Sequence, residues 1–372
     1  MFTENERTDV FVIGGGPAGL AVAIAACRRG FSVTVADGGE PPIDKACGEG
    51  LMPETQAALR ELGVELPGST GYHFRGIRFV QGNLHVAADL PEGQGIGIRR
   101  TVLHKLLIQE AERCGVKLLW KTPVAGIASN EVQVRGRTIP AQWIIGADGG
   151  SSRVRRWSGL NASVLSSYRM ASRRHYRVRP WTEYMEIYWG PRQQAYVTAI
   201  SREEVCIVVL GDSVENVDFD RALEAMPELR ERLEGAELCS RERGAITEMH
   251  SLKRVWRGNV ALVGDASGVV DAITGEGLRL AFRQAFALAE AMESGDLREY
   301  GLTHKQLARR PIRMGKLLLQ LGRKEAVRLR ALRMLSRNPE LFARLLTIHV
   351  GWATPGEVFL TGAQLGWQFL AA

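Results

Sequence analysis

The sequence predicts an α/β protein: a doubly wound dinucleotide-binding unit, an inserted antiparallel sheet, and a helical C-terminal extension. Three observations carry that prediction. An apolar run, Val10 to Ile13, leads into a G-x-G-x-x-G spacing at Gly14, Gly16 and Gly19, and an apolar helix follows to about Arg29. From Tyr168 to Leu210 the hydrophobic pattern changes to period two. Beyond residue 303, Lys or Arg alternates with Leu, Met and Ile at helical spacing.

The opening unit is justified part by part. Val10 to Ile13 suits a strand of a parallel sheet, covered on both faces. Gly14 permits a tight turn, Gly16 lets a pyrophosphate approach the backbone, and Gly19 lets helix and strand pack closely. The helix N-terminus supplies free N–H groups and partial positive charge. A second apolar run, Phe31 to Val35, ends near Asp37, where a carboxylate binds the ribose hydroxyls of an adenine dinucleotide. The following loop holds Lys45, Cys47, Gly48 and Gly50. Its glycines suit close approach to a flat ligand, and equally a long connection to the helix from Glu54 to Leu62.

Residues 71–99 alternate weakly as strands and turns. A helix is expected from Ile98 to Ala111, a strand from Gly115 to Trp120, and β structure from Val124 to Ile139. Strand, glycine turn and helix start follow between Trp143 and Arg155. In the period-two stretch, Tyr184, Glu186 and Tyr188 share one face. Short helices are expected within 219–234. Asn259 to Ala266 reads as the last strand of the first unit, and residues 271–278 enter a helix running to about Glu293. The remainder is helical, broken at Asn338-Pro339 and near Pro355-Gly356.

Composition narrows the function class. The 372 residues suggest more than one unit, and no segment approaches ~18 uninterrupted apolar residues, as a membrane-spanning helix would. The first seven residues lack the apolar stretch of a signal peptide, and the five cysteines are scattered with no C-x-x-C, so free thiols in the cytoplasm are expected and no metal site. The net charge is +7, but residues 305–344 alone hold twelve Lys or Arg against two acids. Phe342 is the one aromatic residue among those charges, so no pattern of interleaved aromatics is present and nucleic acid is not the expected partner. The leucines of this segment are expected to pack on the domain; peripheral membrane contact through 303–345 is the alternative.

Three motifs together carry a resemblance. Gly14-x-Gly16-x-x-Gly19, then Gly146-Ala-Asp148-Gly149 before Ser152-x-x-Arg155, then Gly264-Asp265-Ala266 before Gly275-Glu276-Gly277 resemble the signatures of class A flavin-dependent monooxygenases. The p-hydroxybenzoate hydroxylase is that group's type member, and geranylgeranyl reductases and flavin-dependent halogenases share its fold. The resemblance implies FAD as the tightly held dinucleotide, in a Rossmann-like FAD-binding domain (GR2 type) with an inserted substrate sheet. It places the FAD-binding domain at 8–75, 98–165 and 255–300, the substrate-binding sheet at 76–97 and 166–254, and a basic helical region at 301–372. Gly14, Gly16, Ala18, Gly19 and Asp37 are implied at the pyrophosphate and adenosine ribose. Lys45, Gly48, Arg100, Val124 and Asp148 are implied further along the cofactor, with Arg99 an alternative to Arg100. Gly264 and Asp265 are implied at the ribityl chain. Gly275, Glu276, Gly277 and Leu278 are implied at the N1–C2=O edge of the flavin. There is no second G-x-G-x-x-G unit, so NAD(P)H is implied as a transient reductant.

Two reactions remain open. As a monooxygenase, the protein would use O₂ through a flavin C4a-hydroperoxide to hydroxylate or epoxidise a small hydrophobic, aromatic or polyketide-like substrate. His175, Glu186 and Tyr188 are then candidates for a base, each with an ordinary strand role as the alternative. As an ene-reductase, it would saturate a C=C bond. Lys45-Ala-Cys47-Gly48-Glu49-Gly50-Leu51 with Pro53 is similar to the K-x-C-G-x-G-L-x-P loop of geranylgeranyl reductase-like proteins, which implies Cys47 on the substrate side. Two departures count against an isoprenoid substrate: Tyr196 to Ser201 lacks the Trp, Phe and Pro of the group's aromatic strand, and Asp271-Ala272 stands where many relatives have Asn-Pro or Asp-Pro. Sequence reasoning therefore ranks hydroxylation first, reduction second and halogenation third.

Overall fold

The computed structural model describes residues 7–161, 164–270 and 272–371. Asp271 lies outside the described residues, as do residues 1–6. The first sheet runs in the order Trp256–Arg257, Val260–Leu262, Arg137–Gly146, Thr8–Ile13, Val33–Ala36, Lys117–Leu119, and all of its pairings are parallel except the first. The hairpin of Val124–Ala128 and Glu131–Val134 pairs onto Arg137–Gly146. Val10, Phe11 and Val12 are fully buried, as a strand covered on both faces must be. Helix Pro17–Cys27 is buried almost throughout, between the helices Arg100–Arg113 and Gly277–Ser294. An all-round apolar helix such as this has no solvent face to present.

The second sheet is ordered Glu237–Leu238, Val164–Arg177, Glu204–Gly211, Gln193–Ala199, Tyr184–Trp189, Gly76–Gln81, Leu84–Asp89, with Arg243–Ser251 also on Val164–Arg177. It is antiparallel apart from one parallel pair, Tyr184–Trp189 with Gly76–Gln81, because those strands come from segments far apart in the chain. A three-stranded ribbon of Gly50–Leu51, Gly95–Gly97 and Tyr72–Phe74 lies against it. A Cβ on Gly97 would stand 1.8 Å from the Ala199 carbonyl oxygen, so ribbon and sheet meet backbone to backbone there.

Each face of this sheet is covered. Tyr188, Val197 and Ile207 pack with Phe219 and Leu229 of the short helices Phe219–Glu224 and Pro227–Arg232. Ile187, Tyr196 and Val208 pack with Leu335, Phe342 and Leu346 of the C-terminal helices Glu325–Arg337 and Pro339–Val350. Leu332, Leu335, Leu341 and Leu346 of the basic region thus pack on the domain, as expected, while Leu317 is exposed. A break at Lys324, which the spacing did not reveal, separates Leu297–Arg323 from Glu325–Arg337. Buried Arg328 secures it, donating to the Leu321, Gly322 and Gly190 carbonyls and lying over the Trp189 ring. Helix-end carbonyls need such donors when no further turn follows.

Candidate functional site

A cavity of about 790 Å³ runs from the glycine turn of the first sheet to the inner face of the second. Its polar end is built from strand ends and turns. Gly14 (φ +111°) has the Ala147 carbonyl oxygen 2.4 Å from where a Cβ would stand, so only glycine fits this turn. Gly19 does not reach the cavity; a Cβ there would lie 1.9 Å from the Gly14 carbonyl oxygen, which is the helix–strand contact expected of it. Gly16, Gly48, Gly275 and Gly277 differ. A Cβ on any of them would meet no protein atom within 4 Å, and all four line the cavity. At Gly275 the left-handed backbone (φ +66°) already favours glycine, but at Gly16, Gly48 and Gly277 neither packing nor backbone conformation demands it, whereas a ligand seated against the backbone does. The buried Nε of Arg100, which has no hydrogen-bond partner in the protein, gives the same indication at the same cavity. The residues present therefore fit an extended anionic dinucleotide.

The structure brings most of the sequence-derived residues to this end: Gly14, Gly16, Ala18, Asp37, Lys45, Gly48, Arg100, Val124, Asp148, Gly264, Asp265, Gly275, Gly277 and Leu278 all line the cavity. Asp37 accepts from the Gly15 and Gly39 N–H groups at 2.7 Å each, which fixes its carboxylate in place. Lys45 Nζ lies 3.3 Å from Asp265 Oδ2, and both side chains are about half exposed to the cavity. The Asp148 carboxylate is committed locally, accepting from Ser152 Oγ and from the Arg153 and Val154 N–H groups at the start of helix Arg153–Trp157. That is the capping role of a residue in a turn.

Several expectations are corrected. The Glu276 side chain does not line the cavity and pairs with Arg279 at 3.0 Å and Arg310 at 2.8 Å; its neighbours Gly275 and Gly277 do line it, and the resemblance implied this turn through its backbone N–H groups, not through that carboxylate. Arg99 also points elsewhere, pairing with Glu204 and His175. Glu186 and Tyr188 do not line the cavity. Glu186 accepts from Trp181 Nε1 at 2.7 Å and Tyr188 Oη at 2.9 Å, and lies 3.5 Å from Arg78. Successive strand residues face opposite ways, so Met185 and Ile187 are the ones turned to the cavity. Burial, with Glu186 adjacent, also pushes the Tyr188 phenol up, so it stays protonated. His175 sits on the cavity side of its sheet, but it is fully buried under Glu49. Of the four candidates for chemistry, Cys47 alone lines the cavity.

Sequence reasoning missed residues whose partners are distant in the chain. His104 is fully buried, with Nε2 2.7 Å from the Gly15 carbonyl and Nδ1 accepting from Ile43 N–H at 3.2 Å; burial pushes its pKa down, so it braces the glycine turn as a neutral ring. His349, on a C-terminal helix, lines the cavity and bonds the Thr274 carbonyl at 3.1 Å. Glu49, His175 and Cys206 place ligand atoms within 4.8 Å of one another, a metal-like spacing. Arg173 and Arg99 set positive charge against Glu49 and His175, however, and donors already occupy both carboxylate oxygens, so the group is a hydrogen-bonded cluster. The far end of the cavity is apolar. Ile77, Phe79 and Ile187 form one wall, and Leu318, Leu335 and Phe342 the other.

Comparison with known proteins accords with this geometry. A family described as FAD binding domain matches residues 7–295. The menaquinone reductase of Mycolicibacterium smegmatis is 28% identical over 323 residues, covering 80% of this chain and 79% of that protein. Digeranylgeranylglycerophospholipid reductase 1 of Methanothermobacter thermautotrophicus is 28% identical over 306 residues, 75% of this chain and 74% of that one. A flavoprotein/dehydrogenase from Cytophaga hutchinsonii shares the fold with a TM-score of 0.83 at 18% identity, covering 98% of this chain and all of that one. With its glycine-lined cradle and this match over most of its length, the chain belongs to the FAD-binding domain family and is an FAD-dependent oxidoreductase.

Proposed function

We propose that the protein is a flavin-dependent ene-reductase that saturates C=C bonds in the prenyl chain of a lipid or quinone, with NAD(P)H as the transient reductant. One observation carries this reading: the cofactor cradle opens directly into an apolar chamber walled by sheet and C-terminal leucines. Such a chamber suits a long hydrocarbon by burial alone and offers little to orient a polar aromatic ring. The two relatives compared above are named as a menaquinone reductase and a digeranylgeranylglycerophospholipid reductase, which supports reduction ahead of hydroxylation, the reverse of the order that the sequence motifs suggest.

FAD, when bound, supplies the hydride that adds to one alkene carbon. The chain's own residues bind, orient and protonate. Apolar walls hold the alkene and exclude water. Tyr196 Oη is committed to the Ile273 carbonyl at 2.9 Å, His349 to the Thr274 carbonyl at 3.1 Å, and Lys45 to Asp265 at 3.3 Å; the Cys47 thiol, on the cavity lining, is assigned to give a proton to the other carbon and regain one from solvent. Helix Leu297–Arg323 would meet an anionic membrane: Lys305, Arg309, Arg313 and Lys316 are exposed along it, as are Leu302 and Ile312. Leu317 is 48 % exposed and also lines the cavity, marking an entry for a chain drawn from lipid.

The test is anaerobic incubation of FAD-loaded protein with NAD(P)H and a prenylated quinone or glycerolipid, read by product mass. A gain of two hydrogens is expected. A flavin that NAD(P)H does not bleach, or an aerobic product heavier by one oxygen, overturns the reading. Cys47→Ser should lower turnover about a hundredfold, the usual scale for a general acid, while NAD(P)H still bleaches the flavin.

A further inference from the structure

Beneath the loop that carries Cys47 lies a buried charged cluster that binding and reduction leave unused. Glu49 is 3 % exposed, Arg173 1 % and His175 0 %. Glu49 holds left-handed backbone (φ +58°), which is uncommon for a residue with a side chain. Its carboxylate gathers two distant parts of the chain, the start of helix Arg100–Arg113 and strand Val164–Arg177. Oε1 accepts from the Arg100 N–H at 2.9 Å and from Arg173 Nη1 at 3.3 Å; Oε2 lies 2.7 Å from His175 Nε2. The Glu49 carbonyl also accepts from the Ile98 N–H at 2.8 Å. His175 Nδ1 lies 2.9 Å from Arg99 Nη1 and 2.8 Å from Ser240 Oγ, so a ring protonated at Nε2 donates to Glu49 while accepting from Arg99. Arg173 reaches on to Asp44 at 2.8 and 3.1 Å.

The products of this cluster face the cavity. In its left-handed conformation, Glu49 directs its N–H at Cys47 Sγ, 3.4 Å away. The Cys206 thiol, whose pKa burial pushes well up, donates to the Cys47 carbonyl at 3.6 Å. The same carboxylate caps the first turn of helix Arg100–Arg113, from which the Arg100 side chain enters the cradle. A carboxylate with three donors in a dry site is strongly fixed, and its charge cannot be moved without leaving Arg173 short of a partner.

We propose that Glu49 and His175 are positioning residues: their buried pair holds Glu49 in its left-handed conformation and so sets the Cys47 thiol against the cavity. What Cys47 then does rests on the reductase reading; where Cys47 is held does not.

The experiment compares FAD-loaded wild type with Glu49→Gln, His175→Phe and the double variant. Arg174→Gln is the control, because Arg174 is the next strand residue but pairs with Glu242 and Asp220. Alkylation of Cys47 by iodoacetamide at one pH is followed by mass spectrometry of its peptide. The rate is expected to rise more than about threefold in each single variant, because the loop opens locally. It rises no further in the double variant, because the pair acts as a unit. Arg174→Gln keeps the wild-type rate. A smaller rise or a fall in the single variants overturns the proposal, and so does an equal rise in Arg174→Gln. If one single variant does not fold, the other decides alone. Should the alkylation pattern appear in a protein that saturates no prenyl chain, the reductase reading fails and the positioning stands. An active reductase without the pattern does the opposite: the positioning fails and the reductase reading stands.

Discussion

His304 lies in helix Leu297–Arg323 with Nε2 2.9 Å from Ser267 Oγ, in the turn that carries Asp265. Burial pushes its pKa down to about 4 from 6.5. The unfolded chain takes up this proton near pH 6.5, while the folded chain resists it until about pH 4, so folding loses stability as pH falls through that window. The loss amounts to about 3 kcal/mol when complete, an order-of-magnitude figure for a buried group. His304→Gln should therefore flatten the dependence of the urea midpoint on pH between those values; an unchanged slope would place the acid sensitivity elsewhere. At Asp265 the expectation concerns binding. Its carboxylate is open to the cavity beside Lys45 and can accept from vicinal ribityl hydroxyls. Asp265→Ala should weaken FAD by about 1.5–3 kcal/mol, the scale of a hydrogen bond to a charged group, as read by flavin fluorescence titration.

At the scale of elements, the strands illustrate how phase decides role. Glu186 and Tyr188 fall one residue out of step with Met185 and Ile187, and that step alone sends them to the far face among Trp181 and Phe219. Helix Leu297–Arg323 has two faces with separate duties. Met314, Leu318 and Leu321 close the cavity, while Lys305, Arg309, Arg313 and Lys316 stand outward at near-helical intervals. If that outer face meets anionic lipid, each charge contributes about 1 kcal/mol. Replacing Lys305, Arg313 and Lys316 together by Ala should then lower partitioning onto phosphatidylserine vesicles about a hundredfold in a sedimentation assay, and more steeply at low salt. Equal partitioning of variant and wild type would remove the membrane role and leave these charges as solvated surface.

At the scale of the whole molecule, two sheets share one cavity, and the C-terminal helices complete it. Among the described residues no helix is long and apolar enough to cross a membrane. The helices after Lys324 bury Leu332, Leu341, Phe342 and Leu346 against the second sheet, as part of its core. Deleting residues 324–372 should therefore expose the inner face of that sheet and yield aggregated, dye-binding protein. A soluble, FAD-loaded truncation would show instead that the segment is an appendage. The hydrogen bond from His349 to the Thr274 carbonyl ties helix Pro339–Val350, and the ion pair of Arg310 with Glu276 ties helix Leu297–Arg323, to the turn before Gly277, so the two ends of the cavity are mechanically joined.

Much of the cofactor end was legible in the chain because its signals are local. A glycine turn and a carboxylate at a strand end work through backbone a few residues away, so Gly14, Gly16 and Asp37 could be placed from spacing, while Asp265 and Gly277 were implied by the resemblance of their motifs. The remaining site residues depend on partners far along the sequence. Glu49 finds Arg173 and His175 more than a hundred residues on, His104 finds Gly15, and the leucines of the basic segment find the inner sheet face. The sequence by itself determined the nucleotide unit and the amphipathic character of the tail, since both follow from short-range periodicity. Tertiary structure alone decided which strand face meets the cavity, which charges are buried together beneath Cys47, and that the tail closes the chamber, because each of these is settled by packing between segments that no local pattern connects.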